Sequence, residues 1–176
     1  MNEGLHFEIE LDTGRPRKEN RVLGAAAALC LRDAVGGKAA IMWPGDIVIE
    51  NETVASVRCL PADGLVKLVC DVSSVCAAES MTSEVEAALR KLAAGFPENG
   101  AEIIQGYCNH CRTLMKFVDT VYRGMPVYGF AFAVDKFCGL MVMTQETRTV
   151  ITIYNGPAEL AKDEPQQPEM PLSPRL

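Results

Sequence analysis

The residues best suited to chemistry include two cysteines separated by two positions in "CNHC", Cys108–Cys111. This spacing occurs in zinc sites and in thiol redox centres. A zinc site needs four ligands, but His6 and His110 are the only histidines and no second Cys or His pair follows. A redox pair normally opens a helix, whereas this pair falls late in a predicted helix. We expect ordinary thiols and no metal site, and a thiol sensor using both cysteines stays open as a hypothesis.

A second candidate is the stretch Ile41–Arg58, "IMWPGDIVIENETVASVR", in which the only tryptophan, Trp43, precedes Pro44. Proline lacks an N–H to donate to a sheet, so this pair predicts a corner where a strand ends. Asp46 could accept a hydrogen bond from a ligand hydroxyl, or could cap the turn. We favour a core tryptophan at a strand corner, with the ligand-binding role of Asp46 left open.

Composition and charge limit the function classes for this 176-residue chain. Hydrophobic residues make up 48% of it and charged residues 23%, which is enough for a buried core. The net charge of −6 argues against a nucleic-acid partner, and the one dense basic run, Arg15–Lys18, is predicted to be a solvated loop. Seven cysteines without a secretory signal predict reduced thiols and a cytoplasmic location. No apolar run reaches membrane-spanning length, so no membrane partner is expected.

Hydrophobic periodicity predicts an α+β core followed by a small β-barrel. Asn20 is predicted to cap the first helix after a loop. Strands are predicted at Leu5–Leu11, Ala39–Trp43, Asp46–Glu50, Thr53–Leu60 and Leu65–Val72, and helices at Arg21–Val35, Thr82–Phe96 and Ala101–Leu114. Barrel strands are predicted at 116–122, 127–135, 139–145 and 148–154. The predicted units are a core at 1–100, a helix and barrel at 101–156, and a disordered Pro-rich tail at 157–176.

The order of these motifs resembles the biotin–protein ligases of the biotin/lipoate ligase superfamily. "IMWPGDIVIENETVASV" is similar to that family's Lys-Trp-Pro-Asn-Asp corner and the hairpin that follows it, and "EGLHFEIEL" to the strand before its first long helix. The later half resembles its C-terminal module at Thr113–Lys116, Gly129–Ala131, Asp135, Gly139-Leu140 and Gly156. The likeness runs in consistent order from about Glu3 to Gly156.

The resemblance implies a partial class II synthetase-like mixed sheet with flanking helices, followed by a small SH3-like barrel. Such ligases join biotin to ATP with Mg²⁺ as biotinyl-adenylate, and then transfer biotin to a lysine of a carrier domain. The implied partners are therefore a biotin carrier protein, an active ligase or a second copy in a homodimer. The positions implied to bind substrate are Trp43, Pro44, Gly45, Asp46, Ala55 and Ser56.

The chain departs from the family at the positions that handle charge. Met42 and Thr53 stand where the family has lysines, Gly45 replaces the Asn, and Ser56 replaces a Gly. Adenylation brings a carboxylate to a triphosphate, so it needs fixed cations and backbone donors. The loss of both lysines therefore leaves no confident catalytic residue.

Two further departures point the same way. The family's Gly-x-Gly-x-Asn strand matches Cys70–Ser74, "CDVSS", in which Asp71 adds a negative charge close to the expected phosphates. The family's Gly- and Arg-rich loop would precede Met1. Our first hypothesis is a catalytically impaired ligase-like protein that binds a ligand or a partner in biotin metabolism. The alternative is a genuine biotin ligase whose gene start lies further upstream, where an in-frame extension would encode that loop.

Overall fold

A computed structural model describes residues 4–78, 80–156 and 158–161, which form two antiparallel sheets and four helices. The first sheet contains β1 (Leu5–Asp12), β2 (Ala40–Met42), β3 (Asp46–Ile49), β4 (Glu52–Pro61) and β5 (Leu65–Val72), in the order β1-β5-β4-β3-β2. The predicted α+β class is confirmed. The expected mixed sheet is instead antiparallel at every pairing between these strands, and the one isolated parallel bridge joins Ile41 to Cys111.

Alternation along the strands divides the first sheet into an inner and an outer face. In β1 the side chains of Phe7, Ile9 and Leu11 are buried, whereas His6 and Glu8 are exposed. Because side chains alternate between faces along a strand, the buried set packs against the helices and the polar set points outward. The outer face of this sheet is therefore its polar face.

The inner face is covered by helices. These are α1 (Arg17–Asn20), α2 (Val22–Val35), α3 (Met81–Ala94) and α4 (Gly100–His110). The run of alanines at 25–28 in α2 is fully buried, because small side chains let the helix lie close to the sheet and to α3 and α4. Helix α4 packs on α2 and therefore lies with the helices that cover the first sheet. The sequence pattern predicts it as part of one unit with the barrel. None of the described helices is both long and apolar enough to cross a membrane.

Asn20 does not cap a helix, contrary to the prediction. Its side chain is fully buried, where its amide oxygen accepts from the Thr13 hydroxyl at 2.8 Å and its Nδ2 donates to the carbonyl oxygens of Arg15, Ala62 and Leu65. Residues 17–20, predicted as loop, form the short helix α1. Asn20 thus ties the turn after β1 to the turn between β4 and β5.

Helix α4 ends at His110, four residues before the predicted end at Leu114. Cys111 adopts an extended backbone, with φ −83° and ψ 105°. The next N–H, of Arg112, donates to the Ile41 carbonyl oxygen at 2.8 Å. The helix therefore stops because its chain pairs with the β2 edge of the sheet.

The second sheet contains β6 (Lys116–Tyr122), β7 (Met125–Val134), β8 (Leu140–Thr144), β9 (Val150–Ile153) and β10 (Ala158–Leu160). The strand order is β10-β6-β7-β8-β9 and all pairings are antiparallel. All four predicted strand runs after Met115 are confirmed, while closure into an SH3-like barrel stays a prediction. The predicted disordered tail is wrong at 158–160, which pair with β6, and residues 162–176 lie outside the described residues.

Candidate functional site

Trp43 joins the two sheets and is a core residue, 2% exposed. Its backbone N–H donates to the Thr113 hydroxyl oxygen at 2.8 Å. Its indole N–H donates to the Cys138 carbonyl oxygen at 3.1 Å, in the turn between β7 and β8. The core interpretation of this tryptophan is confirmed, because its polar atom is engaged by the protein itself.

The backbone at Pro44 and Gly45 is held by packing. The Trp43–Pro44 peptide is cis, and the Pro44 carbonyl oxygen accepts from the fully buried Tyr107 hydroxyl at 3.1 Å. Burial raises the Tyr107 pKa well above its usual value, so the hydroxyl stays a donor. A Cβ at Gly45 would lie 2.4 Å from the Val57 carbonyl oxygen. Glycine is therefore required here by the close approach of β4.

Five side chains form one row across the outer face, which we call the outer row. In the strand register Met42 opposes Asp46, Asp46 opposes Ser56, Ser56 opposes Asp71, and Asp71 opposes His6. Directly opposed residues share a face and have Cβ atoms about 4.5–5.5 Å apart. The sheet thus brings together three of the predicted positions, Met42, Asp46 and Ser56, with Asp71.

The outer row carries two carboxylates. Partial burial raises the pKa of Asp46 above its usual value. Asp71 Oδ1 lies 2.6 Å from His6 Nδ1, and its other oxygen lies 3.7 Å from Arg58 Nη2. Both His6 and Arg58 therefore already contact this carboxylate, although all three side chains are substantially exposed.

A cleft of about 380 Å³ opens at the Trp-Pro corner, and we call it the corner cleft. Both family lysine positions, Met42 and Thr53, line it. Its other lining residues are Trp43, Pro44, Asp46, Val48, Glu50, Asn51, Arg112, Ala158, Glu159 and Leu160. Arg112 is the only Lys or Arg among the described lining residues, and it donates to the Glu50 carbonyl oxygen. Three carboxylates against one engaged cation make the corner cleft acidic.

A second, more open depression of about 440 Å³ lies at the end of the sheet, on the far side of Thr53. It is lined by His6, Ser56 and Asp71 of the outer row and by Ala55. Ala55 is buried and alternates with Ser56, so its side chain belongs to the inner face. Of the predicted substrate-binding positions, Gly45 and Ala55 pack within the sheet, whereas Asp46 and Ser56 lie on the outer face. Substrate binding by these positions stays a prediction.

Sequence reasoning missed Glu50, Arg112 and Glu159 in the corner cleft. They belong to three segments of the chain, the β3–β4 turn, the link after α4, and β10. Glu159 lay in the stretch predicted to be disordered. No local pattern signals this convergence, because it depends on how the second sheet docks against the corner.

The cysteines form no site of their own. All seven are free thiols, and burial is the main cause that raises the pKa of both Cys108 and Cys111. Raised thiol pKa values oppose thiolate formation, so they disfavour the thiol-sensor hypothesis. Within the described ranges no group of three or more His, Cys, Asp or Glu side chains is placed to hold a metal ion.

Solved structures with a similar fold are biotin protein ligases and a related protein. The ligase from Aquifex aeolicus is 15% identical over 90% of this chain and 83% of that chain, with a TM-score of 0.71. A biotin protein ligase-like protein of unknown function from Silicibacter sp. TM1040 has 12% identity, coverages of 86% and 78%, and a TM-score of 0.71. The biotin acetyl coenzyme A carboxylase synthetase from Helicobacter pylori has 16% identity, coverages of 85% and 74%, and a TM-score of 0.57.

No protein-family model matches the sequence. No curated protein matches it either. The structural likeness at these identities shows the fold, and the predicted biotin protein ligase-like fold is confirmed.

Proposed function

We propose that this chain is a biotin protein ligase-like binding module that does not form biotinyl-adenylate. The observation that carries the proposal is the acidic outer row, in which Asp46 and Asp71 flank Ser56. Met42 of this row and Thr53 of the corner cleft occupy the family's lysine positions. The fold supplies the scaffold, and these side chains argue against the reaction.

The charge balance opposes adenylation. Bringing a triphosphate to a carboxylate requires fixed cations at the point where negative charge accumulates. The corner cleft instead presents Asp46, Glu50 and Glu159, and its single arginine is engaged by the Glu50 carbonyl oxygen. Each additional like charge at 4 Å costs about 1 kcal/mol in water and about 4 kcal/mol in a partly desolvated site. Several such contacts would oppose the binding of a phosphate chain.

The same cleft suits a different ligand class. Carboxylates accept hydrogen bonds, so they complement neutral groups that donate N–H or O–H, or a lysine ammonium presented by a partner. A biotin carrier domain, whose acceptor is a lysine, fits this chemistry. We therefore propose that the corner cleft holds either the donor groups of a small ligand such as biotin or the lysine of a carrier domain.

Two measurements test the proposal. Biotin-dependent exchange of pyrophosphate into ATP, run beside an active ligase, is expected to stay at the enzyme-free background. Calorimetry with biotin and with an unbiotinylated carrier domain is expected to show saturable binding of at least one of them, weakened by Asp46→Asn. The control is Asp12→Asn, which removes one charge from the same face at its opposite end. Exchange above background would support the genuine-ligase alternative, and absence of binding to both ligands would reject the binding role.

As further partners we propose a second copy of the chain or an active ligase. Strand β1 forms one edge of the described sheet, and an edge strand offers backbone groups for pairing with another sheet. Light scattering of the purified protein, alone and mixed with an active ligase, measures both associations. A monomer that also fails to bind the ligase would reject them.

A further inference from the structure

A third cavity lies on the helix side of the molecule, and its volume is about 740 Å³. Its walls come from the segment that leads into α2, from the α3–α4 link, from α4, and from the end of β7 with the turn that follows it. No described residue of β1–β5 lines it, so it is separate from the outer row and the corner cleft. Small-molecule sites commonly enclose about 300–1,000 Å³, which makes this cavity the size of a ligand site.

The cavity is basic in a chain whose net charge is −6. Arg15, Lys18 and Lys136 line it, against the single carboxylate of Glu19. Within the described residues no ion pair is formed by any of these three cations. A positive pocket on an acidic protein focuses anions at that point.

Two of these cations lie beside the Phe137 ring. The Nζ atoms of Lys18 and Lys136 lie 5.5 Å and 5.1 Å from the centre of its ring. The two ammonium groups come from α1 and from the β7–β8 turn, and both lie within cation–π range of the same ring. An anion bound beside this ring would accept charge-assisted hydrogen bonds from the ammonium groups.

The remaining walls favour an anion with an apolar body. Phe96, Ile104 and Val134 supply apolar surface beside the lysines. Gly100 and Ala101, the first two residues of the 11-residue helix α4, also line the cavity. The partial positive charge of a helix N-terminus adds to the attraction that the lysines exert on an anion.

We propose that the basic cavity binds an anionic small molecule with an apolar body, whose carboxylate or phosphate is bound by Lys18 and Lys136. The proposal is independent of the proposed function, because it uses a different face and different residues. The sequence predicts a solvated loop for Arg15–Lys18. It does not reveal the cavity there, because Lys136 and Phe137 come from a distant part of the chain.

Four probes test the ligand chemistry on the full chain by calorimetry and by amide shifts in NMR spectra. Phenyl phosphate and benzoate carry a ring and an anion, inorganic phosphate carries only the anion, and benzyl alcohol carries only the ring. We expect saturable binding of at least one ring-bearing anion, with shifts at Gly100, Ala101, Lys136 and Phe137, and weaker binding of the other two probes. The tighter of phenyl phosphate and benzoate identifies the anion as phosphate or carboxylate.

A charge-matched pair of variants tests the residues. Lys18→Gln with Lys136→Gln is expected to weaken binding at least about tenfold, because charged hydrogen bonds are lost. The control, Lys38→Gln with Lys91→Gln, removes two exposed lysines outside the cavity and should change affinity less than about twofold. Equal losses in both variants, benzyl alcohol or inorganic phosphate binding as tightly as the ring-bearing anions, or no saturation below about 10 mM would overturn the proposal.

Discussion

Asp46 and Asp71 lie on opposite sides of Ser56, each directly across from it in the first sheet. They belong to β3 and β5, and β4 between them carries only a serine at the shared row. Two carboxylates are thereby fixed on one face, at positions where the resemblance to biotin protein ligases leads us to expect groups that bind an adenylate. The arrangement links the sheet register directly to the chemistry that the face can support.

The first prediction concerns the cost of keeping Asp46 ionised. Desolvation raises its pKa in the folded protein, so folding disfavours its charged form at neutral pH. A carboxyl group with a raised pKa in the folded protein adds stability while it is protonated. That stability is fully present below the unfolded pKa and is lost as pH rises through the folded pKa. Asp46→Asn should therefore raise the free energy of unfolding at pH 7 by a few tenths of a kcal/mol after solvent screening. Urea unfolding should show this gain shrinking as pH falls towards about 4.

The control for Asp46→Asn is Asp12→Asn on the same face. Removing any carboxylate from a chain of net charge −6 relieves some repulsion, and Asp12→Asn measures that general effect. Equal gains in the two variants at every pH would mean that desolvation of Asp46 plays no part.

The second prediction tests the hydrogen bond that holds the Trp-Pro corner. Tyr107→Phe removes the donor to the Pro44 carbonyl oxygen and leaves that oxygen without this partner. We expect the free energy of unfolding to fall by about 1–2 kcal/mol, measured by urea titration. Tyr122→Phe, at a partly exposed site on β6, should change it by less than about 0.5 kcal/mol. Similar losses at both sites would contradict a special role for this bond.

The third prediction addresses the buried polar hub at Asn20. Asn20→Ala removes the amide oxygen that accepts from the Thr13 hydroxyl and the Nδ2 that donates to three backbone carbonyl oxygens. Because these groups would lose a buried partner, we expect a loss of about 2–4 kcal/mol in the free energy of unfolding. Asn51→Ala, at an exposed turn position, serves as the control and should be nearly neutral. A small effect at Asn20 would show that water replaces its side chain.

The sequence was sufficient for features set by neighbouring residues. Strand β5 has the predicted bounds, Leu65–Val72, because its apolar run is enclosed by the "PADG" turn and by polar residues after it. The Trp43–Pro44 corner also follows from local chemistry, since proline ends a strand and tryptophan seeks the core.

Long-range relationships could not be predicted in the same way. Alternation assigns Asp46, Ser56 and Asp71 to faces of their strands, but their common row depends on the strand order β1-β5-β4-β3-β2. Asn20 carries the same local signal as a helix cap, and only the position of the β4–β5 turn reveals its buried role. The convergence of Lys18 and Lys136 on Phe137 likewise depends on the docking of the second sheet.

The fourth prediction concerns the buried thiols at alkaline pH. Burial raises the pKa of Cys70 to about 12, so folding holds this thiol neutral. The resulting stability is complete below the unfolded pKa of about 8.5–9 and is lost as pH rises through the folded value. Relative to Cys70→Ala, the wild-type protein should lose about 1.5 kcal/mol between pH 8 and pH 10 in urea unfolding. Cys76→Ala, at a partly exposed site, is the matched control. If the wild-type protein and Cys70→Ala lost stability in parallel over this range, ionisation of Cys70 would not be coupled to unfolding.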